Sequence, residues 1–413
     1  MNEQIKQRIA QLNNGKVPNG YEKTEIGTFP VGWKTTTLDK LLEFKNGVNA
    51  AKEKYNSGVK MISVMDILTD SPIYYDKIKG QVDIDKKTLD TYSVTYGDIL
   101  FQRSSETFED AGKSNVYLDK DRTATYSGFV IRGKKKADYN PYFLNEALRI
   151  GQVRNQIIRN AAGSQHINVG QDSLAKIIVP LASDIEQSKI AEILMKWDEA
   201  IDLQEEFLHT LEIKRMAILQ SFFSKEKCSN WIKLSDYVKE VSNRNNIGCQ
   251  NVKSVSNKNG FIDQSSQFSK QVASEDVSKY KVVTKDCVAY NPSRINVGSI
   301  AIYNEDTPGI VSPMYVVFKC VNMDPRFLLL LLETARGKYE VKSYLSGSVR
   351  DSLAFEDLKS IELAVPPKGK WGEIVDILNI IDAQYSLYND KLSFLKRQRK
   401  ALQQYLLNGV VRV

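Results

Sequence analysis

The sequence contains very little histidine and no regular cysteine pattern. Two histidines and four cysteines are spread over 413 residues without the spacing that a zinc site needs. Two histidines leave almost no candidates for a Ser-His-Asp triad or another histidine-based hydrolytic centre. Scattered cysteines of this kind are typical of a reduced protein, and we expect a cytoplasmic location.

Long apolar runs and catalytic signatures are also missing. The longest apolar run, residues 327–332, is far shorter than the roughly 18 residues of a membrane span. No glycine-rich phosphate loop occurs, and no acidic cluster resembles a nuclease centre. Residues 291–294 (NPSR) lack the second proline and the aromatic residue of the adenine methyltransferase signature. We therefore predict a chain that is not catalytic by itself and binds neither metal nor cofactor.

The composition is that of a folded globular protein. Hydrophobic residues make up 42% and charged residues 26% of the chain, which argues against disorder. The length allows two or three domains. The net charge of +7 at pH 7 is mild, so it indicates a nucleic-acid partner only where the positive charge is concentrated locally.

One heptad pattern dominates the chain and occurs twice. Apolar residues recur every seven positions over residues 190–218 and again, 184 positions later, over residues 374–402. Such a repeat places a continuous apolar seam along a long helix, and the seam needs a partner helix. The residues that we predict to join the two helices are Ile190, Leu194, Trp197, Ile201, Leu208, Leu211, Ile374, Leu378, Ile381, Tyr388, Leu395 and Leu402.

The two predicted helices carry opposite charge. Residues 184–227 have a net charge of −4, and residues 368–413 have a net charge of +4. Opposite charges favour pairing of the helices within one chain, although each exposed pair contributes little. Two unrelated amphipathic surface helices are the alternative. Against it, Asp198 and Arg215 in the first helix match Asp382 and Arg399 in the second, which indicates a tandem duplication.

The rest of the chain repeats in the same order. Trp231 matches Trp33, and residues 140–158 are predicted to form one helix with Pro141, the match of Pro325, in its first turn. A predicted strand near residue 100 or 288 is followed by a glycine, a proline at a helix start, and an apolar strand that ends in Val-Pro. We predict a mixed α+β fold: two tandem globular domains and two long helices in an antiparallel coiled coil, with an internal pseudo-two-fold repeat. The predicted segments are a first domain (1–180), a central helix (181–227), a second domain (228–366) and a C-terminal helix (367–413).

Polar and basic residues cluster in loops at corresponding places in both halves. Arg, Asn, Gln and Ser can read base edges in the major groove, and Lys and Arg also hold phosphates. For any single residue, a solvated surface loop is the simpler explanation, but the paired clusters strengthen the signal. The candidate DNA-binding residues are Lys52, Lys54, Tyr55, Arg103, Ser104, Ser105, Lys113, Ser164, Gln165, His166, Arg244, Asn245, Asn291, Ser293, Arg294, Ser348 and Arg350.

The order of these parts resembles the specificity subunit of type I restriction-modification enzymes. Residues 20–33 (GYEKTEIGTFPVGW), which we expect to form an extended, turn-rich lead-in, look like the motif that opens target-recognition domains in that family. Residues 186–194 (EQSKIAEIL) resemble its central helical region. The second helix departs from this pattern, with GEIVD at residues 372–376. The resemblance covers essentially the whole chain.

The resemblance implies a role in host defence. Each target-recognition domain binds one half of a bipartite, asymmetric site in double-stranded DNA, and the helix pair sets the gap between the halves. Two methyltransferase subunits dock on this frame and bring S-adenosylmethionine for DNA methylation at adenine. Restriction subunits add ATP- and Mg-dependent translocation and cleavage.

Two other functions remain open on the sequence alone. A coiled-coil adaptor that binds only proteins would show no salt-dependent affinity for DNA. A fused methyltransferase-endonuclease with its own target domain would bind S-adenosylmethionine as an isolated chain.

Overall fold

The computed structural model describes residues 3–163, 165–257, 260–264, 276–346 and 352–413. The chain divides into two compact units, here called the first unit (residues 1–206 and 390–413) and the second unit (residues 207–389). The central helix, Asp184–Phe222, and the C-terminal helix, Trp371–Leu407, each contribute one end to each unit. The predicted mixed fold with two long helices is confirmed.

The first unit combines short strands with short helices. Its described helices are α1 Glu3–Asn13, α2 Leu38–Leu41, α3 Val64–Ile67, α4 Lys86–Thr91, α5 Pro141–Ala147, α6 Gly151–Arg159 and α7 Gln171–Ala175. Its described strands are β1 Tyr21–Thr24, β2 Gly27–Pro30, β3 Lys34–Thr37, β4 Leu42–Asn46, β5 Tyr55–Ile62, β6 Gln81–Val82, β7 Ile99–Gln102, β8 Ser104–Ser105, β9 Ser114–Val116, β10 Thr125–Tyr126, β11 Val130–Lys135, β12 Ile167–Asn168 and β13 Ile178–Leu181.

A four-stranded antiparallel sheet in the order β4-β11-β7-β9 forms the centre of the first unit. Successive side chains of a strand point to opposite faces. Ile99 and Phe101 therefore pack into one hydrophobic cluster, and Leu100 packs into another on the opposite face. Both faces of the sheet are covered, which explains why the strand is a continuous apolar run.

The second unit is built from the same kinds of elements. Its described strands are β14 Asn230–Lys233, β15 Val238–Glu240, β16 Lys253–Ser256, β17 Gly260–Asp263, β18 Lys281–Val283, β19 Cys287–Tyr290, β20 Ile300–Ile302, β21 Gly309–Val311, β22 Val316–Cys320 and β23 Glu362–Val365. Its described short helices are α8 Pro325–Glu333, α9 Ala335–Ser346 and α10 Phe355–Ser360.

The main sheet of the second unit has the same topology as that of the first. Its order is β15-β22-β19-β20, again antiparallel throughout. Val288 and Tyr290 face one cluster, whereas Cys287 and Ala289 face the other. The duplicated order that the sequence predicts is thus a duplicated sheet.

Smaller features of the duplication recur as well. The Leu38 amide donates to the Ile177 carbonyl (2.9 Å) and the Leu234 amide to the Ile361 carbonyl (3.0 Å), so each unit closes with an equivalent strand pair. Helices α5 and α8 both begin with proline after a side chain, Asn140 or Asp324, that accepts a hydrogen bond from the first turn.

Three local predictions need correction. The lead-in is a β-hairpin of β1 and β2, because Tyr21, Phe29 and Pro30 are buried and give the two strands a core to pack on. The single helix expected from residue 140 to 158 is two helices, α5 and α6. Trp231 was matched to Trp33, yet Trp33 is buried and Trp231 is 61% exposed. In the second unit, Trp371 instead stacks on Phe327 in the core.

Within each unit the two long helices run antiparallel. In the first unit, Asp198 pairs with Arg399 (Oδ1 to Nε, 2.8 Å) and Glu205 pairs with Lys396 (2.6 Å). In the second unit, Arg215 pairs with Asp382 (2.5 Å). Asp198 and Asp382, like Arg215 and Arg399, are matched residues of the repeat, so one ion pair occurs twice.

Each of these arginines also binds a glutamate on a helix of its own globular domain. Arg399 contacts Glu146 of α5 (2.7 Å), and Arg215 contacts Glu333 of α8 (2.6 Å). Glu146 is 1% exposed and Glu333 is 32% exposed. Each guanidinium therefore joins a globular domain to both long helices. The ion pairs of Arg399 in the first unit are more buried than those of Arg215 in the second.

The seam residues divide between two roles. Most of the predicted set are buried, whereas Trp197, Tyr388, Leu395 and Leu402 are half-buried. Ile190 and Leu194 belong to the core of the first unit, and Ile374, Leu378 and Ile381 to the core of the second. Near its N-terminus, each long helix thus packs its seam residues against a globular domain. This contact buries apolar residues of the short strands and helices there. In the second unit, the ring centroids of Phe207 and Tyr388 lie 4.6 Å apart.

We predict that Arg399→Ala lowers the free energy of unfolding by about 3 kcal/mol, because the buried Glu146 carboxylate loses the nearer of its two arginines (2.7 Å) and keeps only Arg149 (3.3 Å). Arg215→Ala costs about 1 kcal/mol, since its partners are partly solvated. Urea unfolding measures both values, with the exposed Arg397→Ala as the control. Equal losses for Arg399→Ala and Arg215→Ala would contradict the burial argument.

Candidate nucleic-acid interface

Loops converge at one end of the main sheet of the first unit. Strands β4 and β7 both run antiparallel to β11, with Asn46 opposite Ile131 and Gln102 opposite Val130. The ends of β4 and β7 therefore meet the start of β11. The loops that leave these points, residues 47–55, 103–105 and 126–129, are called the first loop edge below.

Arg103 is held at the first loop edge by three hydrogen bonds. Its amide donates to the Phe129 carbonyl (2.9 Å), and its carbonyl accepts from the Val169 amide (3.0 Å). Its Nη1 donates to the Gly128 carbonyl (3.3 Å). The side chain is half-buried. The backbone bonds fix where the guanidinium leaves the sheet.

The loop around residue 166 is joined to this edge. Strand β8 pairs with β12, the Ser104 hydroxyl donates to Asn168 Oδ1 (2.5 Å), and Asn168 Nδ2 donates to the His166 carbonyl (3.0 Å). Gln165 and His166 are exposed beside Ser104. Ser105 is buried and accepts from the Thr107 amide. Ser164 lies outside the described residues.

The lysines predicted from the sequence lie on two sides of the edge. Lys52 and Lys54 are exposed on a short 3-10 helix, and the half-buried Tyr55 begins β5. Asn49 packs so closely on Gly128 that a side chain at that glycine would overlap it. Lys113 forms an ion pair with Asp110 (2.5 Å), and this contact holds the pKa of the Asp110 carboxyl below its usual value.

The second unit has a corresponding second loop edge, formed by residues 241–247, 291–294 and 312–315. Glu240 lies opposite Phe318, and Tyr290 lies opposite Val316, so the ends of β15 and β19 meet the start of β22. Ser293 and Arg294 are exposed in the loop after β19, and Arg244 is exposed after β15. Ser348 and Arg350 lie outside the described residues.

Two asparagines of the second loop edge are committed to the fold. Asn245 is 6% exposed; its Nδ2 donates to the Cys249 carbonyl (2.8 Å) and its Oδ1 accepts from the Cys249 amide (2.8 Å). Asn291 is 7% exposed and accepts from the Ser293 amide (3.1 Å). Both side chains stabilise the loops from within, so we do not include them in the candidate interface.

Arg103 and Arg294 do not occupy the same place in the duplicated sheet. Arg103 follows β7 directly, whereas Asn291 takes that position after β19 and Arg294 comes three residues later. The difference arises because Asn291 opens a tight turn that leads into the 3-10 helix Ile295–Val297. The two loops correspond to each other, but the two arginines occupy different positions within them.

Several residues at these edges are not predicted from the sequence. Asn49 and Asn168 make the contacts described above, and Phe129, Met314 and Ile247 are exposed apolar residues among polar neighbours. The sequence gives little indication of Asn49 and Asn168, because polar residues are common in loops. Phe129 and Met314 occupy corresponding positions of the repeat, and that correspondence could have identified them.

Within the described ranges, no group of three or more His, Cys, Asp or Glu side chains is placed to hold a metal ion. No helix in the described part of the chain is long and apolar enough to cross a membrane.

We predict that Asn245→Ala lowers the free energy of unfolding by about 1–3 kcal/mol, because it leaves buried backbone groups without partners. Arg244→Ala, one residue away and exposed, is the matched control and should change stability by less than about 0.5 kcal/mol. Thermal and urea unfolding measure both values. An Asn245→Ala variant with an unchanged free energy of unfolding would contradict the burial of Asn245 and make it a candidate for DNA contact again.

Comparison with known proteins shows similarity to one family over nearly all of the chain. The model of the type I restriction modification DNA specificity domain matches residues 30–212 and again residues 236–397. The specificity subunit of the type I restriction enzyme MjaX from Methanocaldococcus jannaschii is 25% identical over 430 aligned positions, covering 95% of this chain and 97% of that protein.

Known structures share the fold. The crystal structure of a type I restriction-modification S subunit from M. genitalium has a TM-score of 0.57 at 15% identity and covers 95% of this chain and 98% of that one. A chain from work on complex assembly and conformational transition of the type I system has a TM-score of 0.53 at 14% identity, covering 93% and 99%.

Proposed function

This chain belongs to the family of type I restriction modification DNA specificity domains, and we propose that it is the sequence-reading subunit of a type I restriction-modification complex. Each globular domain binds one half of a split, asymmetric DNA site through its loop edge. The chain supplies recognition and a docking frame, and it leaves the chemistry to its partners.

The duplicated loop edge is the observation that carries this proposal. Two sheets of the same topology end in loops at the same place, yet the loops differ: Arg103 and Ser104 stand at the first edge, Ser293 and Arg294 at the second. A conserved frame with different side chains suits the recognition of two different half-sites. Arginine and serine provide the donors that base edges and phosphates accept.

The partners and cofactors follow from the same proposal. Two methyltransferase subunits bring S-adenosylmethionine and modify one adenine in each half-site, and restriction subunits bring ATP and Mg. Leu203 on the central helix and Leu387 on the C-terminal helix are matched positions of the repeat and are 60% and 68% exposed. Exposed leucines at equivalent places are suitable contacts for two copies of one partner.

Co-expression with a type I methyltransferase subunit from the same organism tests the function. We expect a complex of two methyltransferase subunits for each copy, and methylation at one split motif in the host DNA. Methylation without a split motif, or binding of S-adenosylmethionine by the isolated chain, would support the fused-enzyme alternative. A complex with no salt-dependent affinity for DNA would support the adaptor.

We predict that Arg103→Ala weakens or relaxes recognition of one half-site by about 10–100-fold and leaves the other intact, because the two loop edges belong to separate domains. Arg294→Ala should affect the other half only. Arg103→Lys keeps the charge but loses the planar fork, so it should retain the salt dependence of binding and lose discrimination. Binding to duplexes with single changes in each half measures all three. Loss of both halves in one variant would contradict the assignment.

We predict that Leu203→Glu and Leu387→Glu each reduce the complex from two methyltransferase subunits to one, because a charge replaces an apolar contact. Native mass spectrometry counts the subunits. Ser386→Glu, at an exposed position next to Leu387, is the control and should retain both. Two bound subunits in both leucine variants would exclude these positions from the docking surface.

A further inference from the structure

The same four-residue turn occurs at both loop edges. It consists of Ser127-Gly128-Phe129-Val130 in the first unit and Ser312-Pro313-Met314-Tyr315 in the second. The Val130 amide donates to the Ser127 carbonyl (2.9 Å), and the Tyr315 amide donates to the Ser312 carbonyl (3.0 Å). Such a bond between the first and fourth residues defines a β-turn. Each turn leads into an interior strand of the main sheet.

The third residue of each turn is a large apolar residue that faces solvent. Phe129 is 66% exposed and Met314 is 57% exposed. Single exposed apolar residues are common on proteins, so exposure of one residue alone carries little weight. Here the exposure recurs at one position of one turn in two domains whose loops otherwise differ. A shared task for the two side chains explains that recurrence.

Cationic side chains lie next to both turns. The Phe129 carbonyl accepts from the Arg103 amide (2.9 Å), and the Gly128 carbonyl accepts from Arg103 Nη1 (3.3 Å). The Tyr315 carbonyl accepts from Lys281 Nζ (2.7 Å). An apolar group beside cations and amides matches the major groove of DNA, where the thymine methyl is the apolar feature among hydrogen-bonding base edges and phosphates.

We propose that Phe129 and Met314 each pack against the 5-methyl group of a thymine in the major groove, one in each half of the recognition site. This inference rests on the function proposed above. It adds a specificity contact that arginine and serine cannot make, because a methyl group neither donates nor accepts a hydrogen bond. The flat ring of phenylalanine and the flexible thioether of methionine both suit a contact with one methyl group.

The test uses the assembled complex and duplexes that contain its motif, as identified by methylation mapping. Each thymine in turn is replaced by deoxyuridine, which lacks only the 5-methyl group. Every half-site contains at least one thymine, since the modified adenine pairs with it. We expect one replacement in each half to weaken binding by the wild-type complex about four-fold, which corresponds to the burial of one methyl group.

The two variants serve as controls for one another. Phe129→Ala should abolish the response to deoxyuridine in one half and keep it in the other, and Met314→Ala should do the reverse. Phe129→Leu keeps an apolar contact and should retain the response. Because both residues are exposed, all three variants should unfold at the wild-type temperature.

Failure of this inference is distinct from failure of the proposed function. A wild-type complex that discriminates its motif from a scrambled duplex but ignores every deoxyuridine would refute the methyl contact alone. A Phe129→Ala variant that no longer joins the methyltransferase would place Phe129 in a protein interface and overturn the contact. A wild-type complex that does not discriminate the motif would refute the proposed function itself.

Discussion

An arginine bound to two carboxylates holds each globular domain to the long helices. Arg399 joins Asp198 of the central helix to Glu146 of α5, and Arg215 joins Asp382 of the C-terminal helix to Glu333 of α8. A guanidinium presents several donors in one plane, so it can hold two long helices and one short helix at defined angles. A lysine ammonium lacks this planar geometry and would hold its partners less precisely. The proposed reading of DNA requires a loop edge on a rigidly held domain, and this contact fixes the domain to the helices.

The chain separates its frame from its reading surface. The main sheets, the closing strand pairs and the arginine contacts are the same in both units, whereas the loops at the sheet ends carry different side chains. Covered sheets tolerate few changes, because their interiors are close-packed. Exposed loops tolerate many. The proposed function uses this division: one architecture reads two half-sites, and partners that recognise the repeated frame meet the same features twice.

The duplication and the long helices could be predicted from the sequence, since each depends on residue type and spacing along the chain. The candidate interface was predicted only in part. Arg103 and Arg294 belong to corresponding loops but leave them at different points, and Asn245 looks like a polar loop residue yet is buried. Phe129 and Met314 were missed because each lies in a short segment that reads as an ordinary turn.

Residue type and spacing along the chain fix the periodic features of this protein: the heptad seam, the order of strands and the matched charges of the two helices. Periodicity is local, and it survives in any conformation that keeps the helix or strand. Tertiary packing, in contrast, sets which side chains face solvent and which are used inside the fold. Exposure depends on residues distant in sequence, such as Val277, whose carbonyl accepts a hydrogen bond from Asn245 Nδ2, and no spacing rule records such a contact.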